Sequence, residues 1–415
     1  MGEEQMDKKK ITAAFIVREF PKLSETFILN QIIGLLESGC DVDIFAFEKE
    51  GENMKFHERI NTYHLLERTY YFPKLPSGRT ARLWGALKIF LKYGWARPQV
   101  FKKWMAIEKG DRLNRLFRLE PFLRKKYDIV HCQFGPQGRN FVFLKEVLDL
   151  KIVTAFRGYD ISKLVHDHPD GFYNHLFEKG DLFVPVCEHF RNRLLSLNCP
   201  PDRTKVLYSG IDTEKFSFGE RTFDLKQGLK VLSVGRLAEK KGIEFGIRAV
   251  GQALKTISDI QYTIIGSGEE KEKLVQLAEN LGIAEHVHFI DYVIDTEINK
   301  LYHEADLFLL PCVTAGDLDQ EGIPNVLKEA MATGMPVIST RHSGIPELIE
   351  DGINGALVDE RDVDALAGKI IDLAGRPEAC REMGKAARKT VEQRFDSNRL
   401  NIRLKEMYQE ILSIQ

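Results

Sequence analysis

Hydrophobic residues recur along the chain with two alternating periods. Short runs rich in β-branched and aromatic residues, such as ITAAFIV (11–17) and DVDIFAF (41–47), are separated by amphipathic segments such as SETFILNQIIGLLESG (24–39). The first kind of run predicts a strand, and apolar residues spaced three and four apart predict a helix. Strands that alternate with helices indicate βαβ units and a parallel sheet.

The strand-like runs fall into two sets. The first set continues with YDIVHCQF, KIVTAFRG, DLFVPVC and RTKVLY, and the second comprises LKVLSVGRL, IQYTIIGSG, HVHFIDYV, DLFLLPC, MPVIST and GALVD. We therefore predict an α/β protein with two doubly wound Rossmann-like domains, each with its ligand edge at the carboxyl ends of the strands. The periodicity lapses within 215–228, which divides the chain into 1–215 and 216–395. By fold analogy, the closing amphipathic helix, 396–415, is expected to return to the N-terminal domain.

Residues 79–126 interrupt this alternation, because they predict helices without strands and contain all three tryptophans, Trp84, Trp95 and Trp104. Fourteen Lys and Arg residues face three acidic residues there, a net charge of +11, which leaves −13 for the remainder of the chain. One interpretation is a surface for anionic lipid headgroups or a lipid diphosphate. The other is a solvated helical pair anchored by core tryptophans.

The composition limits the classes of function. The chain has 415 residues, 43% of them hydrophobic and 29% charged, as in an ordinary soluble globular protein. A net charge of −2 argues against a dedicated nucleic-acid binder. The six cysteines contain no CxxC pair, and MGEEQMDKKK lacks the apolar region of a signal peptide. We expect a cytoplasmic protein that makes at most peripheral contact with the inner face of the cytoplasmic membrane.

The segment DLDQEGIPNVLKEAMATGMP (317–336) combines a strand-to-helix turn with two glutamates. The turn predicts a helix whose N-terminal amides, at Gly322, Ile323 and Asn325, form a phosphate site. Glu321 and Glu329 would accept hydrogen bonds from sugar hydroxyls at the two ends of one ligand. The alternative makes Glu321 a loop carboxylate and Glu329 a helix-surface residue.

Cations and glycines follow the first two strands of the second set. In SVGRLAEKKG, Arg236 and Lys241 suit a diphosphate, and the alternative is that they are two basic surface residues. Lys240 could take the place of Lys241 in this role. Gly266 and Gly268 in IIGSGEEKEKL form a tight turn, but Lys271 replaces the third glycine of a dinucleotide fingerprint. The Asp-x-Asp pair of DLD has no further ligand cluster nearby, so we predict no metal site there.

Together these motifs resemble the family-4 retaining glycosyltransferases, which have the GT-B architecture. The matching motifs are GRLAEKKG, IIGSGEEKEKL, the segment around EGIPNVLKEAMATG and SGIDTEKF, and the match is strong over residues 231–360 and looser before 160. FPKLSETFILNQI is further similar to the branch that builds colanic-acid-like exopolysaccharides. It implies transfer of a sugar from a UDP- or GDP-sugar, GDP-mannose among them, to a saccharide or lipid-linked acceptor. It also implies that neither a cofactor nor a metal is needed.

The resemblance assigns roles to individual residues. It makes Arg236, Lys241 and Glu321 catalytic. The residues it assigns to the donor are Gly235, Gly266, Tyr292, Val293, Gly322, Ile323, Pro324, Asn325, Val326 and Glu329. Those it assigns to the acceptor side of the cleft are Ser24, Glu25, Thr26, His131 and Arg157. Ser343, Gly344 and Glu347 are expected near the nucleotide.

One position departs from the family pattern. Arg157, in TAFRGYD, stands where relatives often carry a histidine that contacts the donor sugar, and His131 either compensates or is structural. Two other functions stay open at this point. A sugar-nucleotide epimerase or hydrolase of the same fold would turn over donor without acceptor, and a non-catalytic membrane-surface sugar-binding protein would act through 79–126.

Overall fold

The computed structural model describes residues 10–22, 25–49, 58–107, 112–168, 170–220, 228–293 and 295–414. Within these residues the strands form two parallel sheets of six strands each. The strands of the first sheet are β1 (Thr12–Glu19), β2 (Asp41–Glu48), β3 (Thr69–Tyr71), β4 (Ile129–Cys132), β5 (Lys151–Phe156) and β6 (Leu182–Pro185). The strands of the second are β7 (Leu229–Val234), β8 (Ile260–Ile265), β9 (Val287–Ile290), β10 (Leu307–Leu310), β11 (Val337–Thr340) and β12 (Ala356–Val358).

The two sheets share one topology. The order is β3-β2-β1-β4-β5-β6 in the first sheet and β9-β8-β7-β10-β11-β12 in the second, and neighbouring strands are parallel throughout. Strands such as β4 and β10 are buried along their whole length, as expected when helices cover both faces of a parallel sheet. The prediction of two doubly wound sheets is therefore confirmed. In each sheet the order reverses beside the first strand, at β1/β4 and at β7/β10, and ligands bind at such reversals.

Helices connect the strands. Those of the first half are α1 (Thr26–Glu37), α2 (Glu58–Thr62), α3 (Arg79–Tyr93), α4 (Pro98–Ala106), α5 (Arg112–Leu119), α6 (Gly135–Phe141), α7 (Phe143–Val147), α8 (Lys163–His166), α9 (Asn174–Lys179) and α10 (Glu188–Ser196). Those of the second half are α11 (Ile243–Ala253), α12 (Lys271–Asn280), α13 (Asp295–Glu304), α14 (Asn325–Ala332), α15 (Ile345–Leu348), α16 (Val363–Ala374), α17 (Pro377–Arg394) and α18 (Ser397–Ser413).

Two local expectations need correction. RTKVLY does not form a regular strand: it follows the edge of β6, where Thr204 makes an isolated bridge to Phe183 and the Lys205 and Leu207 amides donate to the Phe183 and Pro185 carbonyls. The half-buried strand β3 was not predicted, since Thr69–Tyr71 is too short to give a periodic signal.

The last helix returns to the first sheet. Leu404, Met407, Tyr408 and Ile411 of α18 are buried in the same apolar cluster as β1 and α1. The Asn401 side-chain amide donates to the Asn30 carbonyl of α1 at 3.0 Å. The chain thus passes from one half to the other at two places, first after 212–220 and again between α17 and α18.

Candidate active site

Tight turns follow β7 and β8 at the ligand edge of the second sheet. Gly235 and Gly266 have φ angles of 151° and 146°, in the region that favours glycine. A Cβ at Gly266 would lie 1.9 Å from the Gly235 carbonyl oxygen, so these two loops pack backbone against backbone. This packing brings the loop that carries Arg236 and Lys241 against the β8 turn. Arg236 is exposed there.

The N-terminus of α14 faces the same edge. The helix begins at Asn325, with Pro324 as its N-cap rather than within the first turn as expected. Among the described residues, no hydrogen-bond acceptor is recorded for the amides of Gly322, Ile323, Asn325 and Val326. Unpaired amides at a helix N-terminus are the groups that bind a phosphate.

A compact charge cluster lies immediately before this helix. Glu321 Oε1 is 3.1 Å from Lys240 Nζ and 3.3 Å from Lys241 Nζ, and both lysine side chains are largely buried. Burial alone would raise the pKa of Glu321, but Lys241 and Lys240 outweigh it and lower the pKa to about 2. Glu321 is therefore an anion at neutral pH, held against two cations.

The lysine next to Lys241 has a second partner. Lys240 Nζ is also 3.0 Å from Asp319 Oδ2, so it is shared between two carboxylates, whereas Lys241 contacts one. Asp317 Oδ2 in turn accepts from Lys163 Nζ of the first half at 2.5 Å. Both carboxylates of the DLD segment are thus paired with lysines. Across the described ranges, no group of three His, Cys, Asp or Glu side chains is arranged to hold a metal ion.

Three other predicted donor residues, Glu329, Tyr292 and Val293, have environments of different kinds. Glu329 Oε2 accepts a hydrogen bond from the buried Tyr302 hydroxyl at 2.9 Å, which fixes the carboxylate on the second turn of α14. Tyr292 follows β9 and is 64% exposed, while its neighbour Val293 packs on the apolar core. Tyr292 and Val293 thus follow the carboxyl end of β9, and Glu329 is anchored to the buried Tyr302.

On the facing half, Arg157 is held by protein groups. Its guanidinium donates to the Gln133 carbonyl at 3.2 Å, to Gln31 Oε1 at 3.2 Å and to Ser209 Oγ at 3.1 Å. It also lies 4.1 Å from the centre of the Phe27 ring. Arg157 is thus fixed by side chains and backbone of the first half.

The start of α1 completes this side of the cleft. Glu25, the N-cap residue, forms an ion pair with Lys22 at 3.2 Å, and Thr26 is exposed. Ser24 lies outside the described residues.

The assignment of His131 to the cleft is wrong. Its side chain is fully buried between Phe15 and Tyr408, and Nδ1 lies 2.5 Å from the Tyr408 hydroxyl of α18. Burial and the nearby Arg157 lower the pKa of His131 to about 3, so it stays neutral. His131 is a core residue that α18 covers.

The two halves touch across the cleft. A Cβ at Gly158 would lie 2.8 Å from the Gln320 carbonyl oxygen, and one at Gly322 would lie 3.0 Å from Val186. Gly344 lies against Cys187 in the same way, and the Ser343 hydroxyl beside it is buried.

The expectation that Glu347 lies near the nucleotide needs correction. Its carboxylate accepts from the amides of Glu188 and His189 at the start of α10, at 2.8 and 3.0 Å, and from the Tyr208 hydroxyl. Glu347 therefore holds the two halves together.

Sequence reasoning missed three groups near the site: the buried His342 and Lys328, and the partly buried Glu360. His342 accepts from the Glu321 amide and contacts Glu360. Lys328 Nζ donates to the Ser209 carbonyl at 2.6 Å and to Asn325 Oδ1 at 2.8 Å. A histidine directly after a strand, in TRHSG, and a lysine on the buried face of a helix were available signals. Apart from Asn325, their partners are 18 to 119 residues away, which local patterns do not reveal.

Two family models and several curated relatives match this chain over most of its length. The family model described as "Glycosyltransferase Family 4" matches residues 24–215, and "Glycosyl transferases group 1" matches 220–390. The chain is 35% identical over 413 residues to WcaL of Salmonella typhimurium, a glycosyltransferase whose name assigns it to colanic acid biosynthesis, covering 96% of this chain and 99% of WcaL. The chain therefore belongs to the same glycosyltransferase family as WcaL. The amylovoran biosynthesis glycosyltransferase AmsK of Erwinia amylovora is also 35% identical, over 92% of this chain and 96% of AmsK.

Solved structures agree on the fold of this glycosyltransferase. HepE from Anabaena, crystallised with UDP, has a TM-score of 0.72 at 18% identity, covering 96% of this chain and all of HepE. Sucrose-phosphate synthase from Thermosynechococcus elongatus has a TM-score of 0.74 at 17% identity, covering 98% and 100%. The GT-B prediction is confirmed. In the part of the chain that the structure describes, no helix is long and apolar enough to cross a membrane.

Proposed function

We propose that this glycosyltransferase moves a hexosyl group from a UDP- or GDP-sugar to a polysaccharide or lipid-linked acceptor, with retention of anomeric configuration and without a metal ion. The observation that carries the proposal is the cluster of Glu321, Lys240 and Lys241 beside the unpaired amides of α14. The lysines follow β7 and the amides precede α14, beside the strand reversal at β7/β10, which supports a diphosphate site there.

The reaction follows from these groups. As the bond between the sugar C1 and the diphosphate oxygen breaks, negative charge grows on the diphosphate and positive charge on the sugar. Arg236, Lys241 and the amides of Gly322 and Ile323 stabilise the leaving diphosphate, and Glu321 accepts hydrogen bonds from the sugar hydroxyls. The acceptor oxygen attacks C1 from the same face, and its proton passes to the departing phosphate oxygen. The products are the glycoside and a nucleoside diphosphate.

The names of relatives guide the choice of donors to test. HepE binds UDP in its crystal structure, and a 32% identical relative from Mycolicibacterium smegmatis is a GDP-mannose-dependent mannosyltransferase, matched over 57% of this chain. Glu329, on the second turn of α14, is within reach of a ribose diol attached to the bound phosphate. Uracil and guanine nucleotides therefore form the first panel.

Metal independence is proposed because the protein itself supplies positive charge for the diphosphate. Lys240 and Lys241 are both largely buried at the site, and Arg236 is on the same loop. Transfer in excess EDTA should equal transfer in Mg²⁺, and loss of activity in EDTA that Mg²⁺ restores would overturn this part.

The function is tested by a panel of UDP- and GDP-sugars, screened first for thermal stabilisation of the native state. The best donor is then incubated with and without an acceptor extract. Consumption that depends on acceptor supports the transferase, whereas equal consumption without acceptor identifies the epimerase or hydrolase instead. Glu321→Ala and Lys241→Ala should abolish transfer while the protein stays folded, and wild-type turnover in either variant would refute the site.

We also propose that helices α3 and α4 dock on a bilayer that contains anionic phospholipids. Apolar side chains at helical spacing emerge on one side of α3 and at its end, and they are more than one-third exposed: Leu83, Trp84, Leu87, Phe90, Leu91 and Trp95. Trp84 is 66% exposed and Trp95 is 89% exposed. Trp104 differs, because its indole donates to the Arg112 carbonyl and it packs against Phe101. Core anchoring therefore explains only one of the three tryptophans.

The charge near this face fits anionic headgroups. Lys88, Arg97, Lys102 and Lys103 have no described carboxylate within ion-pair distance. Each cation near an anionic surface contributes about 1 kcal/mol, and this attraction weakens with salt.

Co-sedimentation with phosphatidylglycerol-containing vesicles tests the docking. Trp84→Ser combined with Trp95→Ser should lower the bound fraction at least about tenfold. A matched control, Ile353→Ser with Ile402→Ser, removes two exposed apolar residues elsewhere and should bind like the wild type. Equal binding by all three proteins would refute the assignment.

A further inference from the structure

A buried histidine lies directly behind the catalytic-site loop. His342 follows β11, and its side chain is completely inaccessible to solvent. Its Nε2 is 3.1 Å from the backbone nitrogen of Glu321, and its Nδ1 is 2.6 Å from Glu360 Oε1. The imidazole therefore bridges a carboxylate and the backbone of the residue that contacts both lysines.

The partners of the ring fix where its proton lies. A backbone N–H can only donate, so Nε2 must accept from Glu321. The proton is then on Nδ1 and is donated to Glu360. Glu360 is itself held in place, because its Oε2 accepts from the Thr314 amide at 2.8 Å. One tautomer of neutral His342 satisfies all of these bonds.

The bond from His342 holds the Glu321 peptide itself, whereas the other bonds of this loop hold the residues before Glu321. The segment before α14 passes through Leu318, whose φ of 65° is in the left-handed region, and Gln320 N is 3.3 Å from Ser162 Oγ of the other half. The Glu321 amide is tied instead to β11 through His342, within the second half. Rotation of that peptide would move the Glu321 carboxylate away from Lys240 and Lys241.

We propose that His342 and Glu360 are positioning residues that hold Glu321 in the orientation needed to bind the donor sugar. This inference rests on the proposed function, since it assumes that Glu321 holds sugar hydroxyls. His342 would not touch the substrate. It would act through the Glu321 peptide, and Glu360 would act through the tautomer of His342.

The relay implies a pH dependence of activity. A protonated ring carries a proton on Nε2, which would face the Glu321 N–H and break the bond. The ionisable groups that face His342 are Glu360, Glu321 and His189. Arg361 lies beside Glu360, and Lys240 and Lys241 lie beyond Glu321. Burial lowers the pKa of His342, and Glu360 partly opposes this effect.

Substitutions separate the two bonds of the ring. In His342→Gln, the side-chain oxygen reaches about as far as Nε2 and still accepts from Glu321. In His342→Asn it falls short of Glu321, although the amide can still reach Glu360. His288→Gln is the matched control, because His288 is exposed on β9 and contacts Gln261.

We expect His342→Asn to lower kcat/KM for the nucleotide sugar by about 5- to 150-fold, because a buried N–H loses its acceptor. His342→Gln should recover most of this loss. The Kd of UDP or GDP alone should stay within about twofold in both variants, because these ligands lack the sugar. In Glu360→Gln, the acid limb of the kcat/KM profile should move to lower pH, because the charge that favours the imidazolium is removed.

Unchanged kcat/KM in His342→Asn, or an equal loss in His288→Gln, would overturn the proposal. A parallel loss of UDP and GDP affinity would overturn it as well, since that result indicates general disruption of the site. Nitrogen NMR of histidine-labelled wild type gives a readout independent of activity: the Nδ1–H tautomer of His342 is expected at neutral pH, and the Nε2–H tautomer would refute the relay. If the wild type moves no sugar from any donor, the proposed function fails, while the NMR result still decides the tautomer.

Discussion

Lys241 and Lys240 are adjacent in sequence and both contact Glu321, yet their replacement should have different effects. Lys241 Nζ is 3.3 Å from Glu321 and has a single carboxylate partner, whereas Lys240 is divided between Glu321 and Asp319. A diphosphate therefore competes with one carboxylate for Lys241 but with two for Lys240. We predict that Lys241→Ala loses catalysis and that Lys240→Ala mainly loses stability.

The magnitude follows from the distance. Two unit charges 3.3 Å apart attract by about 5 kcal/mol at an effective dielectric constant of about 20. A leaving diphosphate at a similar distance from Lys241 would gain an interaction of that order, before the cost of removing water from the ammonium. Groups that stabilise developing charge contribute about 3 to 4 kcal/mol net, so kcat should fall about 10² to 10³-fold.

The assay is single-turnover transfer with saturating donor, accompanied by urea unfolding of each variant. Lys241→Ala should unfold near the wild-type midpoint, because Glu321 retains Lys240 as a partner. Lys240→Ala leaves Asp319, also largely buried, without its lysine and should unfold at lower urea. The reasoning is refuted if Lys240→Ala loses more of kcat than Lys241→Ala does, or if both retain wild-type rates.

Three further predictions address the frame around the site. Glu347→Ala removes an acceptor shared by two α10 amides and Tyr208, so it should lower the free energy of unfolding by about 1 to 2 kcal/mol; an unchanged urea midpoint would contradict the contact between halves. Gly266→Ala would place a Cβ 1.9 Å from the Gly235 carbonyl oxygen, so it should lower the free energy of unfolding by at least about 2 kcal/mol and weaken the binding of UDP or GDP. A Kd equal to that of the wild type, measured by calorimetry, would refute the packing of the two turns. Burial lowers the pKa of Lys328 from about 10.5 in the unfolded chain to about 7 in the folded protein. Between about pH 7 and pH 10 the unfolded chain therefore keeps a proton on Lys328 that the folded protein has released. The free energy of unfolding of the wild type, relative to that of Lys328→Met, should therefore rise as pH increases from about 7 to 10. A difference in free energy of unfolding that does not change with pH would show that the pKa of Lys328 is not lowered.

The sheets and the phosphate-site turn could be predicted because their signals are local. Every strand except the three-residue β3 lies in a short apolar run, and the glycine and proline of EGIPN mark the start of α14 directly in the sequence. Residues whose environment depends on distant chain segments could not be predicted. His131 looks like a strand-end cleft residue until Tyr408, 277 positions later, covers it. Glu347 likewise looks like part of a nucleotide loop until α10 of the other half supplies its partners.

The role of residues 79–126 depends on which side of helix α3 faces solvent, and composition does not determine this. Sequence shows the tryptophans and the charge, but only the packing of α3 on α5 decides which side faces outward. Gly85 lies against the Phe117 ring, so the opposite side of α3, with Leu83 and Leu87, is turned to solvent. The same helix with the reverse orientation would have buried its apolar face.

The most direct test of the account is NMR-followed turnover of a carbon-labelled nucleotide sugar by the wild type, with and without acceptor extract. The donor is the UDP- or GDP-sugar that stabilises the protein most. The account predicts that label appears in a new glycoside with the anomeric configuration of the donor, and that it does so only with acceptor present. Inverted product, or release of free labelled sugar at the same rate without acceptor, would contradict it.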